Sequence, residues 1–142
     1  MVARKTAWLG PRTWLALAIG LSVVIGFISL LPARGTPGGD IADLGESVAT
    51  LGHVIGYAVT AAAYAMSLRD VRAARLAAIA VILTAFGIAL EVAQGLLGSR
   101  SFQWSDVVAN AVGAVIGVSV TRWARRTRRV SPGDSAEPTL SG

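Results

Sequence analysis

Polar positions in this chain come in bursts, and between the bursts lie long apolar runs. Residues 13–33 carry no charged side chain, residues 47–68 carry only His53 as a potential cation, and residues 76–99 carry only Glu91. A spanning helix needs about 20 mostly apolar residues, so each run is long enough to cross a bilayer. A fourth gap, residues 107–121, reaches only about 22 Å at 1.5 Å per residue. The last helix is therefore expected to begin near Phe102 and to carry Asp106 inward, with Trp104 and Trp123 as interfacial anchors. No strand alternation or repeat period competes with this pattern.

The predicted architecture is all-α, an integral membrane four-helix bundle. Its helices are expected at about 13–31, 47–68, 76–98 and 102–123, within a membrane domain spanning 13–123. Residues 1–12 form a short N-terminal segment, and 124–142 read as a basic, disordered tail rich in Pro, Ser and Gly near its end. The first run follows Arg4, Lys5 and Arg12 as a signal peptide would. It is longer than a usual h-region and no Ala-x-Ala site follows, so it reads as a retained span.

Composition supports this frame. The chain has 142 residues, 54% of them hydrophobic and only 15% charged, where a soluble domain carries about a quarter charged. There is no cysteine, which excludes disulfides, thiolate nucleophiles and Cys-based metal sites. The net charge of +5 comes from basic residues with a definite distribution. Eleven of the thirteen Lys and Arg lie before the first span, between the second and third, or after the fourth; Arg34 and Arg100 fall on the other side. By the positive-inside rule both termini are cytoplasmic, in a plasma membrane. The basic tail is then a topology anchor with a secondary affinity for anionic headgroups, and no nucleic-acid partner is expected.

The polar residues inside the runs fall on one seam per helix. In the third helix Thr84, Gly87, Glu91, Gln94 and Gly98 follow one another at intervals of three or four. In the second the same spacing picks out Thr50, His53, Tyr57, Thr60, Tyr64 and Ser67, and in the fourth Asp106, Asn110, Gly113 and Gly117. Polar groups in hydrocarbon bond across helices and small residues let backbones approach, so the three seams are expected to face one another. Gly113 and Gly117 form one GxxxG pattern; Gly52 and Gly56 form another, which alone is a weak signal. His53, Glu91 and Asn110 lie at similar depths, about 9 to 12 Å from the outward helix ends. A polar layer in the outward half of the bundle follows.

The runs "HVIGY", "EVAQ" and "RSFQWSDVVANAVGAVIG" together resemble the VanZ-like membrane protein family. That pattern has a His followed four residues on by an aromatic, then an acidic residue and Gln in the next helix, then Arg, Asp, Asn and Gly leading into the last. The matching residues here are His53, Tyr57, Glu91, Gln94, Arg100, Asp106, Asn110, Gly113 and Gly117, over residues 40–120. Many members have Lys three residues before the His; here Thr50 stands there. The resemblance implies an integral membrane protein of the cell envelope, in a family whose name-giving member is linked to teicoplanin resistance, and it carries over no catalytic residue.

Three function classes follow. The first is a non-enzymatic binder of a lipid-linked or cell-wall-related ligand, with His53, Tyr57, Glu91, Gln94, Arg100, Asp106 and Asn110 as ligand-binding candidates and Gly87, Gly113 and Gly117 as packing residues. The second is a membrane enzyme with Glu91 or Asp106 as general base beside His53, although no nucleophile accompanies them. The third is a packing or assembly subunit, open to homo-oligomerisation, in which Glu91 is a hydrogen-bonded clasp and Asp106 a helix cap. A metal held by His53, Glu91 and Asp106 is chemically available, yet no His-x-x-x-His or paired-carboxylate motif supports it. Neither metal nor cofactor is expected.

Overall fold

The computed structural model describes residues 9–31, 39–97 and 102–129, with side chains from residue 47 onward in the second helix and up to Thr127 in the last. Four helices account for them: α1 (Pro11–Leu30), α2 (Gly39–Ser67), α3 (Ala73–Leu97) and α4 (Trp104–Arg129). Each is long and apolar enough to cross a membrane. A helix satisfies every interior backbone N–H and C=O within itself, which hydrocarbon requires.

Local chemistry sets the ends. Pro11 opens α1 at a position whose N–H has no helical acceptor to lose. Leu31, with φ −68° and ψ 139°, leaves the helical region, as a residue before proline does. The carbonyl of Arg72 accepts from the N–H groups of Arg75 and Leu76 and so starts α3. At α4 the carbonyl of Gln103 receives the N–H groups of Asp106 and Val107.

Two boundaries differ from the sequence reading. Helix α2 begins at Gly39, eight residues before the expected 47, because its polar first turns are helical although they are not apolar. Helix α4 runs to Arg129, six residues past the expected 123 and into the segment read as a disordered tail. Arg125 gives a reason: its guanidinium donates to the carbonyls of Leu68 (2.8 Å) and Met66 (2.7 Å) at the end of α2. Those carbonyls have no partner within their own helix, so the basic side chain closes α2 while extending α4. Residues 1–8, the loop with Arg34, the tail beyond 129 and the candidate Arg100 lie outside the described residues.

The centre of the bundle is α2 against α4, running parallel. A Cβ on Gly113 would collide with the carbonyl of Val54, and one on Gly117 with that of Ala58. Backbone contact this close is the function of a GxxxG face where no hydrophobic effect drives helices together. The Gly52 and Gly56 pair does nothing comparable: Gly52 has open space, and Gly56 meets only the side chain of Ile25 at 3.6 Å. Around the crossing, Tyr57, Ala61, Ala65, Leu76, Leu83, Ala114 and Val118 form the core. Large apolar side chains such as Phe27, Val81, Leu96 and Val120 point outward. That inverted pattern suits a lipid-facing exterior. Trp104 and Trp123, nineteen residues apart and both largely exposed, stand about 28 Å from each other along α4, close to the ~30 Å hydrocarbon thickness.

Candidate functional site

Glu91, Gln94, Asp106 and Asn110 are each no more than 3% exposed, an unusual set in so small a bundle. They cluster at the end where α1 and α3 finish and α2 and α4 begin. The three expected seams converge there, since Tyr57, Thr60, Gly87, Glu91, Gln94, Asp106, Asn110, Gly113 and Gly117 are all buried.

His53 is the hub. Its Nδ1 lies 2.9 Å from Asn110 Oδ1, and its Nε2 lies 3.6 Å from Asp106 Oδ2. The imidazole donates from Nδ1 to the amide oxygen, which leaves Nε2 facing the carboxylate. Asp106 sits in the first turn of α4, where the helix dipole favours negative charge. It is a first-turn residue and not the cap, a place taken by Gln103. The backbone N–H of Gln103 in turn donates to Glu91 Oε2 at 3.2 Å, fastening α3 to the start of α4. One ligating atom each from His53, Glu91 and Asp106 all lie within 4.8 Å of one another.

Gly87 makes this arrangement fit. A Cβ there would stand 2.6 Å from Asn110 Nδ2 and 3.0 Å from the Tyr57 hydroxyl. Tyr57 is 2% exposed, and its hydroxyl has no hydrogen-bond partner among the described residues. A buried hydroxyl left so costs roughly 1–3 kcal/mol.

Some members of the seams turn elsewhere. Gln94 reaches α1, its Nε2 donating to the carbonyl of Ser29. Tyr64 also leaves the common centre, with its hydroxyl 3.3 Å from Ser22 Oγ of α1. Thr60 and Thr84 satisfy themselves on carbonyls four residues back, Gly56 and Ala80. Thr50 is half-buried. Sequence reasoning missed Ser29 and Arg125. Ser29 contributes only its backbone, which no side-chain pattern reveals; Arg125 looked like one of a run of cations.

A cavity of about 590 Å³ opens beside the cluster, between α1 and α2. Ile25, Ile28 and Leu31 give it an apolar wall, while His53, Tyr57 and Gln94 supply polar groups. His53 therefore faces both the buried Asp106 carboxylate and this space, its side chain 18% exposed. The volume lies within the range of small-molecule sites, about 300–1,000 Å³. No family model, curated protein or solved structure matches this chain.

Proposed function

We propose that this chain is a VanZ-like integral protein of the plasma membrane, with both termini cytoplasmic, that binds a lipid-linked or cell-wall-related ligand without transforming it. The cavity between α1 and α2 carries this reading. An apolar wall beside a small set of convergent polar groups suits a ligand with a hydrocarbon part and a polar head. The excess of Lys and Arg on one set of loops and ends supports the orientation, with the polar cluster in the outward half. The ordered resemblance of His53, Tyr57, Glu91, Gln94, Asp106 and Asn110 to the VanZ-like pattern supports a role in tolerance of teicoplanin-type glycopeptides. Arg100 would add a cation for an anionic headgroup.

The test is susceptibility. A bacterial host expressing the chain is expected to tolerate more teicoplanin than one expressing the Glu91→Gln variant, with membrane insertion of both verified by immunoblot. Equal tolerance at equal insertion would remove the ionised carboxylate from the function.

A second reading is favoured by one observation, the 3.6 Å approach of His53 Nε2 to Asp106 Oδ2. An imidazole beside a carboxylate is the arrangement of a general base and its orienting partner. In this reading the chain is a membrane enzyme with Glu91 or Asp106 as base, and its product would accumulate with wild-type protein and not with His53→Gln.

A further inference from the structure

From the geometry we infer that His53, Glu91 and Asp106 form a binding site for a divalent transition-metal ion, Zn²⁺ being the best match to their donor atoms. The inference goes beyond the ligand-binding reading and does not depend on it.

Charge comes first. Two carboxylates, each no more than 2% exposed, share a pocket with one imidazole inside a bundle built for lipid. Like charges this close in a low-dielectric interior repel, and a cation held between them lowers that cost. A divalent ion balances two carboxylates and leaves the imidazole neutral, the state in which it ligates.

Geometry agrees. Metal–ligand bonds of about 2.0–2.2 Å at tetrahedral angles separate two donor atoms by about 3.4 Å. His53 Nε2 and Asp106 Oδ2 stand 3.6 Å apart, and the full set lies within 4.8 Å. Closing the set around an ion requires movement of about an ångström, within reach of small changes in the Glu91 side-chain torsions.

The surroundings point to a ligand independently. A metal-binding histidine donates its second N–H to a carbonyl or carboxylate, which fixes the tautomer and aims the other nitrogen. Asn110 Oδ1 accepts from His53 Nδ1 at 2.9 Å, which aims Nε2 toward Asp106 Oδ2 at 3.6 Å, so that an ion between them would have a ligand atom on either side. The Tyr57 hydroxyl, buried and without a hydrogen-bond partner among the described residues, stands with the Asn110 amide against Gly87. Such a hydroxyl has a donor to give to a water or anion. Three protein ligands leave a fourth position open, and His53 also lines the cavity. An imidazole and two carboxylates, without a thiolate, suit Zn²⁺ with Mn²⁺ and Fe²⁺ as competitors.

The full chain, purified in detergent and exchanged into lipid nanodiscs, tests this by elemental analysis and by Co²⁺ substitution. About one Zn²⁺ per chain is expected after dialysis against micromolar Zn²⁺, together with visible d–d absorption of tetrahedral intensity on Co²⁺ loading. Glu91→Gln, Asp106→Asn and His53→Gln should each weaken binding by at least about tenfold, and Asn110→Ala, a positioning variant, by about 10- to 100-fold. Should the ligand variants fail to fold, the wild-type chain still decides. Metal content below about 0.1 per chain, or a Co²⁺ spectrum no different from free ion, overturns the site. So does full binding by folded variants. Fluorescent polyprenyl-phosphate binding, measured in parallel, separates the two readings: lipid binding by a chain that takes up no supplied metal sinks the metal site alone, and metal uptake without lipid binding sinks the ligand reading alone.

Discussion

His53 on α2 and Asn110 on α4 meet through Nδ1 and Oδ1 at 2.9 Å, across fifty-seven residues of chain. The bond joins the two helices that cross most closely and aims the imidazole at Asp106. Asn110→Ala removes the acceptor and leaves an imidazole N–H to find another in a nearly dry interior. A loss of about 1–3 kcal/mol is expected, read as a lowered melting temperature in nanodiscs. Gly87→Ala should act on the same bond without touching His53, because its methyl displaces the Asn110 amide. Melting unchanged in both variants would show that the bond holds nothing together.

The two GxxxG patterns make opposite predictions. At Gly117 a methyl group runs into the carbonyl of Ala58, while at Gly52 it meets nothing within 4 Å. Gly117→Ala should cost about 1–3 kcal/mol through forced separation of α2 and α4, and Gly52→Ala should stay within about 0.5 kcal/mol of the parent. Thermal or SDS-induced unfolding of the two variants side by side checks the assignment of the close crossing.

Arg125 bonds two carbonyls at the end of α2, and its geometry, not its charge alone, makes the contact. A lysine keeps the charge for topology yet lacks the planar fork. Arg125→Lys is expected to insert normally and to lose about 1–2 kcal/mol of stability, with faster amide exchange at Leu68. Retention of full protection there would mean that α2 ends without this cap.

Because the chain has no native cysteine, single cysteines report orientation cleanly. A membrane-impermeant maleimide should label Thr36→Cys and Ser99→Cys, one in each of the two loops expected outside, in intact cells. Ser131→Cys should react only after permeabilisation. The reverse pattern would place the polar layer in the cytoplasmic half.

The number and place of the spans were legible because charge is excluded from hydrocarbon, and four gaps in charge need no structure to be counted. The seams were legible for a related reason: a polar group at a lipid face is costly, so Glu91, Asp106 and Asn110 had to share faces with small residues. Helix ends were less so. Hydropathy reports where apolar residues are, whereas the first turns of α2 and the last of α4 are helical outside that signal. Partnerships across helices were least legible. Spacing placed Gln94 and Tyr64 on their seams, but each seam is wide enough to touch α1 as well, and the Ser29 carbonyl and Ser22 hydroxyl took them there. The mutual distance of His53, Glu91 and Asp106 depends on three crossings at once, which no single helix encodes.

The central claim is that the polar layer and its cavity hold a ligand, and direct binding tests it. Wild-type chain in nanodiscs is titrated with a fluorescent polyprenyl-phosphate lipid, beside Gln94→Ala and the isosteric Glu91→Gln. Saturable binding by the wild type and a loss of about tenfold or more in each variant, equivalent to about 1.4 kcal/mol, is the predicted result. Absence of saturable binding by the folded wild-type chain, or equal affinity in all three, would contradict it.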